Sequence, residues 1–230
     1  MTVPDVATSV VWMRDGTGFL LDRLDEADLA AASGLPGWTN GHVAAHVARN
    51  ADALLRLLHW ARTGEQTPMY ASSAARNEEI ERDAAREPDV HRADVRATAA
   101  ALDLAIATTD DETWTVPIRS TRRAITAGEV PWMRVKEVWL HAVDLGAPSE
   151  RIPSDVATAL IDDIVGSFSD RDDAPPVRLI DTESGRAVEI GHGGPTVSGA
   201  ACDLAVWLAG RSTGDGLQCP DHLPVLPAWL

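Results

Sequence analysis

A glutamate and a histidine four residues apart could hold a metal ion near the middle of this chain. Glu137 and His141 lie in the stretch 130–145, whose apolar spacing predicts a helix. Four residues are about one helical turn, so both side chains project from the same face. The rest of that face is Trp, Leu and Val, which indicates that it faces the core. A carboxylate and an imidazole placed there need either each other or a cation.

Two histidines far upstream, His42 and His46, have the same spacing. One of them, together with Glu137 and His141, would make a His/His/Glu set. Three protein ligands and a free fourth position are typical of catalytic rather than structural zinc. The spacing does not choose between His42 and His46, since both lie on one helical face. It also allows Glu137 and His141 to be a surface pair or a hydrogen-bonded core pair.

The two cysteines are not expected to act as nucleophiles. Neither Cys202 nor Cys219 has a histidine at a useful spacing, and two cysteines are too few for a disulfide framework. Cys202 lies in an apolar predicted helix, where a buried structural cysteine is the default. A thiol required by the chemistry would therefore come from outside the protein.

The acidic composition argues against several partners. The chain has 20 Lys and Arg against 35 Asp and Glu, a net charge of -15, whereas nucleic acids and anionic membranes attract clustered basic residues. A dicarboxylate substrate would need locally placed arginines, which bind carboxylates bidentately. No signal peptide and no bilayer-spanning apolar run is visible, so we expect a cytoplasmic protein.

The elements that must position these residues are mainly helices. Those of the first two-thirds are predicted over 6–24, 40–61, 72–82, 89–108 and 130–145, and the segment 114–126 is extended. The candidate ligands lie on the second and fourth of the long helices, which suits a four-helix bundle with its site between helices.

The pattern changes after residue 148. Helices are predicted over 153–169 and 200–208, with short extended runs between them at 177–181, 187–190 and 195–198. We therefore predict an α+β, mainly α fold in two domains, a four-helix bundle over 1–150 and a small α+β domain over 151–230.

Several stretches resemble the mycothiol-dependent maleylpyruvate isomerases, a branch of the DinB-like bundle superfamily. They are 37–50, 58–70, 75–80, 137–146, 209–212 and 227–230, and the resemblance extends over essentially the whole chain. It implies a DinB-like bundle that binds zinc through His46, Glu137 and His141. The family's first ligand aligns with His46, which leaves His42 for a capping or supporting role near the helix start.

The resemblance also implies the chemistry. Mycothiol would supply a thiolate that adds to the cis double bond of maleylpyruvate, and rotation and elimination would give fumarylpyruvate, a step of gentisate catabolism. The intermediate is an enolate, and Arg211 matches the family position that stabilises it. Without the resemblance, Arg211 would be interpreted as an arginine favoured at a helix C-terminus.

Three other residues are weaker candidates. Asp144 could orient a ligand histidine, or it could be a solvent-facing acid near a helix end. Arg76 and Arg134 could bind carboxylates of the substrate or of the thiol cofactor.

Two other functions remain compatible with the sequence. The first is mycothiol-dependent S-transfer to a different electrophile. The second is a non-catalytic zinc-binding sensor, which predicts four ligands that usually include a cysteine. Neither cysteine is near the histidines in sequence. In the leading interpretation we expect a monomer that binds a small dicarboxylate and mycothiol.

Overall fold

The computed structural model describes residues 3–169 and 171–229. The fold is α+β and mainly α, as predicted. The chain divides into two compact units, with the division between Ala147 and Pro148.

The N-terminal unit contains six helices and a β-hairpin among its described residues. They are α1 (Val6–Glu26), α2 (Asn40–Thr63), α3 (Ser73–Ala84), α4 (Pro88–Ala107), α5 (Asp111–Trp114), β1 (Pro117–Arg119), β2 (Ala124–Thr126) and α6 (Val130–Asp144). A single turn of 3-10 helix, Ala127–Glu129, leads from β2 into α6.

Local sequence explains where these helices begin and end. Asp5, Thr39 and Ser72 each accept a backbone N–H of the first turn of the helix that follows, namely α1, α2 and α3. Helix α4 begins with Pro88, whose missing N–H would have no partner at that position in any case. Helix α2 ends at Gly64, which adopts the left-handed conformation (φ 75°) of a C-terminal cap.

The four long helices form the core of this unit. Helix α1 packs against α6, and α2 packs against both α4 and α6. The centre of α2 is buried on several sides, through Ala51, Leu54, Leu57 and Leu58. No helix among the described residues has the length and apolar character needed to cross a bilayer.

The hairpin is short but has a fixed register. Strands β1 and β2 are antiparallel, with Ile118 opposite Ile125, and both of these side chains are buried. Because neighbouring residues of a strand face opposite sides, Arg119 projects away from the side that the isoleucines bury. The hairpin turn, 120–123, carries two further arginines.

The C-terminal unit is a small α+β arrangement. Its elements are α7 (Ser154–Ser169), β3 (Val177–Asp181), β4 (Ala187–Ile190), β5 (Thr196–Gly199) and α8 (Ala201–Leu208). Strand β3 is central, antiparallel to β4 and parallel to β5. Helix α7 packs against α8 and β4, while α8 packs against β3 and β5.

Candidate metal centre

Three predicted ligands, His46, Glu137 and His141, converge between α2 and α6. The Nε2 atoms of His46 and His141 lie 3.0 and 3.1 Å from the same atom, Oε2 of Glu137. The two imidazole rings are nearly perpendicular, at 85°, with their centroids 4.7 Å apart. One potential ligand atom from each residue lies within 4.8 Å of the others. This geometry is compact enough for a single cation.

The two upstream histidines have different roles, although their sequence spacing cannot separate them. His42 is the third residue of α2, and its Nδ1 accepts the backbone N–H of Thr39 at 3.1 Å in a capping box. Its Nε2 lies 3.3 Å from Glu81. His46 lies one turn further along α2, where it is buried and reaches Glu137. The structure therefore brings His46, and not His42, to the site.

Asp144 orients His141. It is buried, and its Oδ2 lies 2.7 Å from Nδ1 of His141. The Nδ1–H group donates to this carboxylate, which directs Nε2 towards Glu137 and fixes the ring as a metal ligand requires. The alternative interpretation of Asp144 as a solvent-facing acid is wrong.

Arg76 contacts the ring nitrogen of His46 that does not face Glu137. Its Nη2 is 3.1 Å from Nδ1 of His46. A guanidinium group only donates hydrogen bonds, so Nδ1 accepts, and the proton of the neutral ring is assigned to Nε2, where it is donated to Glu137. Arg76 also lies over the ring of Tyr70, with 5.8 Å between its Cζ and the ring centroid.

Burial and mutual contacts set the charges of the site. Burial lowers the pKa of His46 to about 4. For His141, burial opposes the charged form, but the hydrogen bonds and charges of Asp144 and Glu137 outweigh it and raise the pKa. Burial likewise opposes ionisation of Glu137, yet both histidines together hold its pKa well below the usual range. The site therefore contains a carboxylate, a neutral imidazole and a readily protonated imidazole.

The donor set fits a divalent cation such as zinc. Two imidazole nitrogens and one carboxylate oxygen form a known catalytic zinc set, and in sites of this kind the fourth position is left to water or substrate. His141 is already held in the orientation of a ligand. At His46, a cation on Nε2 requires the proton on Nδ1, which would then face a donor of Arg76. Metal binding is therefore compatible with these residues if Arg76 turns away from His46.

Tyr70 is a further residue near the site. The sequence analysis included it only as part of the stretch 58–70, which resembles the family. Burial raises the pKa of its phenol, and the negative charge of Glu137 adds to the effect. The phenol is therefore neutral at pH 7 and can donate a hydrogen bond.

The structure does not favour Arg134, the second candidate for carboxylate binding. Its side chain is only 1% exposed, and Nη1 donates to the carbonyl of Val47 at 2.8 Å and to Oδ1 of Asn50 at 2.9 Å. Burial lowers its pKa to about 10, so it remains a cation at pH 7. Arg134 ties α6 to α2 within the core and is not placed to bind a substrate.

Arg211 and the two cysteines belong to the C-terminal unit. Arg211 follows α8, and its Nη1 donates to the carbonyl of Ala209 at 2.7 Å. Its catalytic role stays a prediction. Cys202 is half-buried, and burial together with the charge of Asp203 raises the pKa of its thiol, which disfavours the thiolate. The sulfur of Cys219 contacts the carbonyl of His222.

The fold and the site together define a helical-bundle protein with a His/Glu/His cluster that could hold a metal ion, and with an additional α+β unit. A family profile described as the mycothiol maleylpyruvate isomerase N-terminal domain matches residues 14–146. The chain therefore belongs to the mycothiol-dependent maleylpyruvate isomerase family, which is a family of enzymes.

Solved structures agree with this assignment over the whole length. A crystal structure of a mycothiol-dependent maleylpyruvate isomerase has a TM-score of 0.92 and 35% sequence identity to this chain. A second, of a histidine-to-alanine mutant of such an enzyme, has a TM-score of 0.91 and 34% identity. Each comparison covers 100% of both chains. A search of curated proteins gives no significant match.

Proposed function

We propose that this enzyme isomerises maleylpyruvate to fumarylpyruvate, with zinc bound by His46, Glu137 and His141 and with mycothiol as the thiol. The observation that supports this most is the convergence of these three side chains within 4.8 Å, in a chain whose full length matches isomerases of this name. The unit Pro4–Ala147, which holds the three residues, has no cysteine in its sequence, whereas the sensor alternative predicts four ligands that usually include one.

The reaction needs a nucleophile that can both add and leave. A divalent cation at this set would lower the pKa of a thiol in its fourth position, so that a thiolate is present at neutral pH. Addition of that thiolate forms one carbon–sulfur bond and moves the alkene electrons onto the conjugated carbonyl oxygen. Rotation about the resulting single bond and the reverse elimination give the trans isomer and return the thiol cofactor unchanged.

The residues of this chain would fix the geometry of that reaction. Asp144 holds His141 in its ligand orientation, and two residues near His46, Arg76 and Tyr70, supply hydrogen-bond donors. Arg76, once it has turned from Nδ1 of His46, offers a guanidinium group to a carboxylate or an enolate near the open position. Tyr70 lies beside Arg76 and carries a neutral phenol that can donate to the same oxygens.

The direct test is turnover of maleylpyruvate, followed by absorbance, with the metal and the thiol omitted in turn. We expect isomerisation only when both are present, and the double variant Cys202→Ala, Cys219→Ala should retain it. Turnover without mycothiol would contradict the borrowed-thiol mechanism. An enzyme that instead consumes mycothiol while it forms a stable conjugate would be an S-transferase. The cytoplasmic location and the monomeric state remain predictions.

A further inference from the structure

A cavity of about 720 Å³ lies in the N-terminal unit, between the hairpin and the start of α3. The ionisable residues that line it, among those described, are Tyr70 and three arginines, Arg76, Arg119 and Arg122. No described lining residue is an aspartate or a glutamate. The chain as a whole has 35 acidic and 20 basic residues, so a lining with an excess of positive charge has the opposite sign to the net charge of the protein. The cavity therefore has a local potential suited to an anion.

The three arginines of the hairpin differ in position. Arg119 and Arg122 line the cavity, whereas the neighbouring Arg123 pairs with Glu129 and lies outside the lining. The buried side chains of Ile118 and Ile125 anchor the hairpin. Arg119, on the opposite face, and Arg122, in the turn, are therefore held in place by a fixed backbone.

Arg76 connects this cavity to the candidate metal centre. It lines the cavity, and its Nη2 lies 3.1 Å from Nδ1 of His46. Tyr70 also lines the cavity and packs beneath Arg76. An extended molecule in the cavity could therefore have one end beside the metal ligands and the other among the hairpin arginines. The volume is within the range of about 300 to 1,000 Å³ for small-molecule sites.

We propose that Arg119 and Arg122 form a carboxylate-binding site that anchors the remote end of a dicarboxylate substrate while the reactive end lies beside Arg76. Guanidinium groups bind carboxylates through paired N–H donors, and two of them can match the ends or the faces of one anion. The proposal rests on the proposed function for the identity of the substrate, but the binding site itself can be tested without turnover.

The first experiment measures binding of maleate, a stable cis dicarboxylate, by calorimetry in the absence of mycothiol. The probes for comparison are isocrotonate, which has the same cis four-carbon skeleton but one carboxylate, and inorganic phosphate. We expect maleate to bind more tightly than either. Arg119→Gln and Arg122→Gln should each weaken maleate binding by roughly 5- to 10-fold, the effect of losing one hydrogen bond of ordinary strength at a solvent-accessible site.

Arg123→Gln is the matched control, because it removes the same charge from the same turn but not from the cavity wall. It should leave maleate affinity within about twofold of the unchanged protein, and circular dichroism should show all three variants to be folded. Equal weakening in all three variants would overturn the proposal in favour of a general charge effect. Phosphate binding as tight as that of maleate would overturn the assignment to a dicarboxylate.

The second experiment separates this proposal from the proposed function. If the unchanged enzyme isomerises maleylpyruvate, Arg119→Gln and Arg122→Gln should raise KM by roughly 5- to 10-fold with little change in kcat, since an anchor remote from the reacting bond binds substrate and transition state alike. An unchanged KM would overturn the anchor. If the unchanged enzyme shows no turnover, the proposed function fails, and selective loss of maleate binding still decides whether the site exists.

Discussion

At the scale of single residues, one oxygen atom determines how the site behaves. Oε2 of Glu137 lies within hydrogen-bond distance of two imidazole Nε2 atoms, those of His46 and His141. Without a cation, this requires an N–H on both rings. A metal ion at the same point takes the place of those two hydrogens. Protons and metal therefore compete for the site.

The competition predicts a pH dependence of metal affinity. His141 has a raised pKa, so below that pKa it must lose a proton before its Nε2 can bind metal. His46, with a pKa of about 4, is already neutral and only has to shift its proton between ring nitrogens. Zinc affinity should consequently fall as the pH drops through the raised pKa of His141. Calorimetry in buffers of different ionisation enthalpy should show up to about one proton released per zinc, and fewer at higher pH. No release at any pH would contradict this protonation scheme.

The assignment of the first ligand is testable with two histidines on one helix. His46→Ala should abolish stoichiometric zinc, because it leaves two protein ligands. His42→Ala should retain zinc, and it should cost at most about 1 kcal/mol of stability, because it removes the hydrogen bond from Thr39 N–H to His42 but leaves Thr39 as the cap of α2. Metal analysis of the purified variants checks both. Full zinc occupancy in His46→Ala would mean that the site is misassigned.

Arg211 is the residue whose role depends most on the family resemblance. Arg211→Ala should leave the zinc content unchanged and reduce kcat by roughly 10²- to 10³-fold, as for the loss of one donor to a developing oxyanion. Arg211→Lys should recover only part of this, because an ammonium group does not reproduce the guanidinium fork. Steady-state kinetics and metal analysis provide the check. Normal turnover in Arg211→Ala would assign this arginine to the structure of its own unit.

The sequence predicted only part of the site. Glu137 and His141 follow from helical spacing, whereas the choice of His46 required the family resemblance. A physical signal was nevertheless present, since His42 follows Thr39 at the capping-box position and is thereby engaged at the helix start. The contact of Arg76 with His46 could not be predicted, because it depends on how α3 packs beside α2. Arg134 was only a candidate, and its position in the core could not be predicted, because a buried arginine that donates to a backbone carbonyl and a side-chain amide has no local sequence signal.

At the scale of elements, the predicted helices agree closely with the observed ones where capping residues define their ends. The predicted ranges 40–61 and 72–82 end within two residues of α2 and α3, whose caps are Thr39, Gly64 and Ser72. The hairpin is different. Its strands have three residues each, too few for an alternating pattern to show their pairing or register, so the sequence predicted only an extended segment. The short helix Asp111–Trp114 was not predicted for the same reason of length.

The packing of α1 on α6 depends on a glycine. A Cβ atom on Gly16 would lie 2.6 Å from Nε1 of Trp139, whose indole N–H donates to the carbonyl of Trp12 at 3.0 Å. Gly16→Ala should destabilise the protein by about 1 to 3 kcal/mol, since the indole must move and its hydrogen bond weakens.

Gly18 in the same helix is the matched control, because a Cβ atom there meets nothing within 4 Å. Gly18→Ala should stabilise by about 0.5 to 1 kcal/mol through the higher helix propensity of alanine. Urea unfolding of both variants measures the difference. A stabilising Gly16→Ala would show that α1 and α6 can separate at little cost.

At the scale of the whole molecule, the net negative charge opposes the binding of an anionic substrate. A net charge of -15 would repel the dianionic substrate that we propose, and the described arginines of the cavity supply the opposite sign only locally. The fold class follows from the succession of helices and the later short strands, and it was predicted correctly. The position of the cavity was not predicted, since the segments that line it, 60–77 and 119–122, are distant in sequence.

The last prediction concerns the stability of the chain when metal binds. A ligand that binds only the folded state stabilises it by about 2.7 kcal/mol at 100 times its Kd. For a chain of 230 residues this corresponds to a rise in Tm of roughly 5 to 10 °C. Scanning calorimetry with zinc and with a chelator should show this rise in the transition that includes the unit Pro4–Ala147, which contains all three ligands. His46→Ala should show almost none of it. An equal rise in that variant would mean that zinc stabilises the protein from a different site, and the convergence of His46, Glu137 and His141 would then be a core hydrogen-bond network.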